Sequence, residues 1–292
     1  MKRTIIVIAF LLCLCLPACS NPDINAQIAA TTLPVWEFTN MLCNGTNIQV
    51  TRLITENVSC LHDYTLQVDQ MRKLEAAEMV VISGAGLEGF LQDAFMPNQT
   101  VVDPSVNIPL LCTEQHHDHE HTHEHSSNHD PHIWLSPAYA KIMCQNICHA
   151  LTLQYPQHKE IFSENLRTLE NNFDSLISYA ADTLTNLSCR ELITFHDGFS
   201  YMAQAFDLHI LHTIEEESGS EASAAELINL CTITREYKVP AIFTEKNGSS
   251  SAASVISSET STPVYQLDMG LSNGSYFETM KNNIDTIKEA LG

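Results

Sequence analysis

The sequence predicts an α/β protein built as two lobes joined by one long helix. Three observations lead there. Short apolar runs alternate with amphipathic stretches along most of the chain, the pattern of successive strands and helices. The alternation is interrupted once, near the middle, by an extended helical stretch. A polar, histidine-rich tract with the composition of a surface loop lies just ahead of that interruption. At 292 residues the chain is long enough to bury a substantial core.

The chain opens on Met1-Lys2-Arg3, continues with an apolar run from Thr4 to Leu16, and reaches Leu16-Pro17-Ala18-Cys19. About 13 apolar residues are too few to span a bilayer, which needs ~20, but they suit the core of a signal peptide. Residues 1–18 are the expected leader, and the four residues up to Cys19 resemble a bacterial lipobox, with Pro17 as a departure. Cys19 is then the lipidated mature N-terminus; an ordinary cleaved signal or an uncleaved anchor is the alternative. Either way the mature chain is expected outside the cytoplasm, on the periplasmic or cell-surface side, and lipidation would tether it to a membrane.

In the first half, strands are expected at 26–31, 48–54, 79–83 and 100–102, and helices at 35–43, 66–77 and 87–95. Helical patterning covers 137–153 and again 157–184, where Leu166, Leu169, Phe173, Leu176 and Ile177 form one apolar stripe at spacings of three and four. Strands follow at 191–195, 209–214, 241–244 and 264–267, with helices at 198–206, 223–237, 249–260 and 276–291. The expected units are an N-terminal lobe at 19–156 that includes a His-rich loop at 114–129, a linker helix at 157–186, and a C-terminal lobe at 187–292.

Charge narrows the function. Thirty-five Asp and Glu against 14 Lys and Arg leave a formal charge of −21. That balance argues against nucleic acid or an anionic membrane surface as partner; it suits a cationic ligand, or simply solubility. Seven cysteines would remain beyond Cys19: Cys43, Cys60, Cys112, Cys144, Cys148, Cys189 and Cys231. An odd number cannot all pair internally, and none has zinc-ribbon spacing. Some disulfides are expected in an oxidising compartment, with no pairing assigned.

Gly84-Ala85-Gly86-Leu87-Glu88-Gly89 matches G-x-G-x-x-G between a strand and a helix, and Asp103 closes the next strand. This is the pattern of a dinucleotide-binding turn. Two strands precede it, however, and an exported protein meets little dinucleotide. A plain strand-to-helix turn with permissive glycines is the competing reading.

Half of the 14 histidines fall in one short tract: His116, His117, His119, His121, His123, His125 and His129, interleaved with Asp118, Glu120 and Glu124. Alternating imidazole and carboxylate groups on a loop are ligands for borderline divalent metals, weakly and at several points, or else a solvated polar segment. Other good ligands stand alone just before helices or after strands: His62, His132, His196 and Asp268. Strand carboxyl ends line the ligand crevice in open α/β sheets, so four such residues placed alike, two in each half, point to one metal site.

His62-Asp63-Tyr64, Asp130-Pro131-His132-Ile133-Trp134 with Pro137, Phe195-His196-Asp197 with Tyr201, and Leu267-Asp268 occur in that order. With the acidic His-rich loop before the second box and the Gly86-Leu87-Glu88 turn, they resemble the metal-binding solute receptors of bacterial ABC importers, the zinc-receptor branch. The resemblance covers nearly all of the mature chain. It implies two α/β lobes, each with a mostly parallel sheet, joined by a long rigid helix, with metal in the cleft between them. It implies His62, His132, His196 and Asp268 as ligands, Zn²⁺ as transported ligand, and a membrane permease with its ATPase as partner of a monomeric, non-enzymatic receptor. Leu61, Lys246-Asn247 and Met269 depart from the family's usual residues. His196 stands where manganese and iron receptors usually carry Glu; three imidazoles favour zinc, with Mn²⁺ or another divalent metal as the alternative. A zinc-dependent hydrolase using Asp197 or Glu245 as base is the more distant rival.

Overall fold

The computed structural model describes residues 26–56, 61, 64–112, 129–213, 222–271 and 274–292. The leader, Cys19, Cys60, His62, Asp63 and the histidines from His116 to His125 lie outside the described residues. Each lobe carries a four-stranded parallel sheet. The first contains β1 (Ile28–Ala30), β2 (Val50–Arg52), β3 (Met79–Val81) and β4 (Thr100–Val102), in the order β2-β1-β3-β4. The second contains β5 (Glu191–Thr194), β6 (His209–Thr213), β7 (Ile242–Glu245) and β8 (Val264–Leu267), in the order β6-β5-β7-β8. In both sheets the chain reverses direction of winding at the central pair. Crevices open at the carboxyl ends of such strands. The central strands β1 and β3 are buried throughout, as parallel strands covered on both faces should be.

The helices are α1 (Leu33–Leu42), α2 (Val68–Ala76), α3 (Pro137–Gln154), α4 (Lys159–Thr183), α5 (Ser200–Ala205), α6 (Ala224–Glu236), α7 (Ser251–Thr260) and α8 (Tyr276–Leu291). Local signals set their ends. Pro137 opens α3, where a missing N–H costs nothing. Ser223 and Glu226 form a reciprocal capping box at α6, and Ser261 ends α7 at a φ of 60°.

The expected helix over 87–95 is instead a 3-10 segment, Gly89–Ala94. Gly84, Ala85 and Gly86 all take positive φ immediately before it, and Pro97 follows, so the stretch has no room to settle into α geometry. The long helix also starts later than expected, because Pro156–His158 forms its own 3-10 turn. At 25 residues α4 is about 37 Å long. Its buried stripe is Phe162, Leu169, Phe173, Leu176 and Ala180, whereas Leu166 and Ile177, expected in the stripe, are only partly covered, Ile177 being 37% exposed.

The stripe of α4 binds elements of both lobes. The Phe173 ring meets Phe38 of α1 at 5.7 Å and Tyr276 of α8 at 5.8 Å, and Phe38 meets Tyr276 at 4.9 Å. Edge-on aromatic contacts of this kind add about 0.5–1.5 kcal/mol each beyond burial. Glu37 of α1 accepts from Ser275 Oγ at 2.8 Å and from the Tyr276 backbone N–H at 2.7 Å, so a carboxylate from the first lobe caps α8 of the second. One apolar core consequently runs through both lobes, and a second cluster around Ile193, Leu230, Ile242 and Ile256 lies under α6 and α7.

The cysteine expectation is corrected. Cys43, Cys112, Cys144, Cys148, Cys189 and Cys231 are all free thiols, so no disulfide forms among the described residues. Cys144 and Cys148 share one helix, where disulfide geometry is hard to reach.

Candidate metal centre

His132 comes first, because its surroundings are the most fully built. Asp130-Pro131-His132 leads into the 3-10 turn Ile133–Leu135 and then α3, and His132 is 3% exposed. The Asp130 carboxylate accepts the His132 backbone N–H at 2.9 Å and lies 2.7 Å from its Nδ1. A carboxylate on Nδ1 assigns the proton to that nitrogen and leaves Nε2 as the ligating atom. Tyr201 of α5 locks the same box from the second lobe: its hydroxyl donates to Asp130 O at 3.0 Å and accepts Leu111 N–H at 2.9 Å. Burial pushes the Tyr201 phenol up to about 12, so it stays a donor at any physiological pH.

His196 follows β5, at the carboxyl end of one strand of the reversal point, and is 8% exposed. Its ring faces His132 edge-on, with centroids 5.2 Å apart. Glu245, the last residue of β7 on the other side of that point, is buried with Oε2 3.9 Å from His196 Nδ1. Each imidazole therefore has a buried carboxylate near its Nδ1, at 2.7 Å for His132 and 3.9 Å for His196. Gly198 makes the meeting possible. A Cβ there would lie 2.4 Å from Met269 Cε, 2.6 Å from His196 Cδ2 and 3.0 Å from His132 Cε1. The φ of Gly198 is not in the left-handed region, so what the position requires is the absence of a side chain.

The structure thus brings His132 and His196 together. Asp268 does stand at the end of β8, but its oxygens are engaged elsewhere: Oδ1 accepts Gly270 N–H at 2.8 Å and Oδ2 lies 3.0 Å from Lys246 Nζ. Among the described residues no three ligand-type side chains form a cluster able to hold a metal. His62 is outside the described residues, yet both ends of its loop are anchored. Tyr64 donates to Glu56 Oε2 at 2.9 Å, and Gln70 Nε2 reaches both Tyr64 Oη at 2.6 Å and Glu56. Burial pushes the Glu56 carboxyl up, but hydrogen bonds from the backbone, Tyr64 and Gln70 outweigh it and hold the group below its ordinary value. His129, last of the histidine tract, pairs antiparallel with Cys112 at the loop's base.

The glycine-rich turn is no phosphate cradle. Glu88 turns its own carboxylate back onto the Ser83 and Gly84 N–H groups, at 2.5 and 3.1 Å, and takes Thr31 Oγ1 at 2.6 Å. A Cβ at Gly84 would strike Asp103 Oδ1, so that glycine serves close packing. The supporting residues Glu245 and Lys246 carried no motif of their own; their place at the end of a central strand was the available signal.

Two parallel α/β lobes tied by a long helix, with buried imidazoles meeting at strand carboxyl ends, define a solute receptor of metal-binding type. The family model for the periplasmic zinc-uptake complex component A, ZnuA, matches residues 28–290, and the chain belongs to that family. It is a receptor of zinc-uptake type and not an enzyme. It is 29% identical over 280 residues to the high-affinity zinc uptake system protein ZnuA of Bacillus subtilis, covering 91% of this chain and 87% of the relative. It is 27% identical to the zinc-binding lipoprotein AdcA of Streptococcus pneumoniae over 99% of this chain, but spans only 61% of that longer protein. A crystal structure of ZnuA superposes with a TM-score of 0.80 at 25% identity, covering 91% of this chain and all of the other.

Proposed function

We propose that the chain captures Zn²⁺ outside the cytoplasm through His62, His132 and His196, with Asp268 as the fourth position, and delivers it to the permease of an ABC importer. The observation that carries this is the edge-on His132–His196 pair, each ring backed by a buried carboxylate. Neutral imidazole nitrogens at ~2.0–2.1 Å suit zinc, and a carboxylate would close a tetrahedron without leaving an activated water. Mn²⁺ is the second reading of the cargo, supported by the oxygen ligand at Asp268. The histidines from His116 to His129 form a secondary, weaker metal loop. No helix among the described residues is long and apolar enough to cross a membrane. Attachment through a lipid on Cys19, at the end of the lipobox-like Leu16-Pro17-Ala18-Cys19, belongs to this reading. Residues 1–18 as leader, 19–156 and 187–292 as lobes, 157–186 as linker and a monomeric state complete this reading.

Metal analysis of protein purified without added metal, followed by zinc–manganese competition, tests it. One tight zinc equivalent should survive removal of residues 114–129, while the weak equivalents disappear. Loss of the tight equivalent on that deletion, or of none on His132→Ala and His196→Ala, would overturn the ligand assignment.

A further inference from the structure

Lys246 departs from the residue common in the resembled family, and the structure gives it a job. Its backbone N–H donates to Leu267 O at 2.8 Å, so it is fixed beside the end of β8. Its ammonium then sits 3.0 Å from Asp268 Oδ2. The backbone of Asp268 is held as firmly. Buried Asn283 accepts its N–H at 2.9 Å and donates to its carbonyl at 2.8 Å. With the backbone clamped, the carboxylate can approach a metal only by side-chain rotation, and rotation breaks its contact with Lys246 or with Gly270 N–H. A polar cavity of 360 Å³ on the α8 side, lined by Lys246, Asp268, Glu278 and Asn282, gives the lysine room to move away.

We propose that Lys246 sets metal selectivity by holding the Asp268 carboxylate as its own counter-ion. The proposal rests on the metal-receptor reading and concerns the oxygen ligand alone. Zinc is well served by imidazole, whereas manganese depends more on carboxylate oxygen. An ammonium that competes for the one carboxylate at the fourth position therefore penalises manganese more than zinc. The ion pair is half-exposed at the lysine, so breaking it costs little, and that cost falls on the cation that needs the oxygen more.

The test compares the parent, Lys246→Met, Asp268→Asn and the double variant in the full chain, titrated separately with zinc and manganese against a competing chelator. Lys246→Met should raise manganese affinity about fivefold and zinc affinity less than about twofold, the scale of one exposed ion pair. In the Asp268→Asn background the same change should do nothing to either metal. Equal gains for both metals, no gain for manganese, or a gain that persists without the carboxylate would each overturn the proposal. A parent with no tight zinc equivalent would instead overturn the receptor reading on which it stands.

Discussion

Nδ1 of His132 lies 2.7 Å from Oδ1 of Asp130, two residues earlier in the chain, and both side chains are buried. The pair is prepared before any metal arrives, because the same oxygen also accepts the His132 backbone N–H. Asp130→Ala should free the ring to rotate and lose the tautomer that presents Nε2. Zinc affinity is expected to fall about 10- to 100-fold, as for other carboxylates behind a ligating histidine. Chelator competition on the folded variant, checked by circular dichroism, measures it.

Gly198→Ala asks whether the two imidazoles need the space above that backbone. The added methyl overlaps His196 and Met269 and touches His132. The rings should be pushed off their meeting point, with zinc affinity lowered about tenfold or more and the far-UV spectrum unchanged. An unaltered titration would show that the rings relax around a methyl group.

The loop that carries His62 is held at its ends by Glu56, Tyr64 and Gln70. Tyr64→Phe removes one hydroxyl from that knot and nothing else. A hydrogen bond of about 1 kcal/mol corresponds to roughly a fivefold loss in zinc affinity if the knot preorders the loop. Amide exchange across the loop should quicken in the metal-free variant and slow again on zinc addition.

Buried Glu88 makes stability depend on pH in a definite direction. Desolvation raises its carboxyl above the ordinary value, against hydrogen bonds from Thr31, Ser83 and Gly84 that lower it. The folded protein thus holds this proton more tightly than the unfolded chain, and the resulting stability is full below the unfolded value near pH 4 and lost as pH rises through the folded one. Denaturant unfolding of the parent, relative to Glu88→Gln, should therefore lose ground as pH climbs from about 4. Parallel curves would dismiss the raised carboxyl as the source.

Closure around metal should be slight. Phe38, Phe173 and Tyr276 pack across the lobes, Trp134 Nε1 donates to Met269 O at 2.8 Å, and Arg52 Nη2 to Leu271 O at 2.9 Å. Small-angle scattering of metal-free and zinc-loaded protein should give superimposable profiles beyond local loop ordering. A large compaction on loading would contradict the rigid connection.

Much of this architecture was legible because its signals are local. All eight strands and every α-helix among the described residues lie in segments read from alternation and apolar spacing, and Ser223 and Pro137 announce their helix starts in the sequence itself. Only the expected helix before Pro97 gave way to 3-10 geometry. What stayed hidden depends on distant partners. Ile177 fits the apolar spacing of α4, but its surroundings leave it 37% exposed. Glu37 looks like any helical glutamate until Ser275 and Tyr276, far along the chain, arrive beside it. Likewise the hold of Lys246 on Asp268 arises from the neighbouring ends of β7 and β8, which no spacing rule reveals.

The thiols bear on how metal leaves the protein. Burial pushes Cys43 up to about 12 and raises Cys144 and Cys148 as well, with the neighbouring thiol Cys148 adding to the effect on the other two. Only a thiolate is a strong zinc ligand, and these three remain protonated inside the core. Three soft donors are thereby withdrawn as ligands. A zinc ion meets no sulfur sink among these three, which suits a receptor that must let its cargo go.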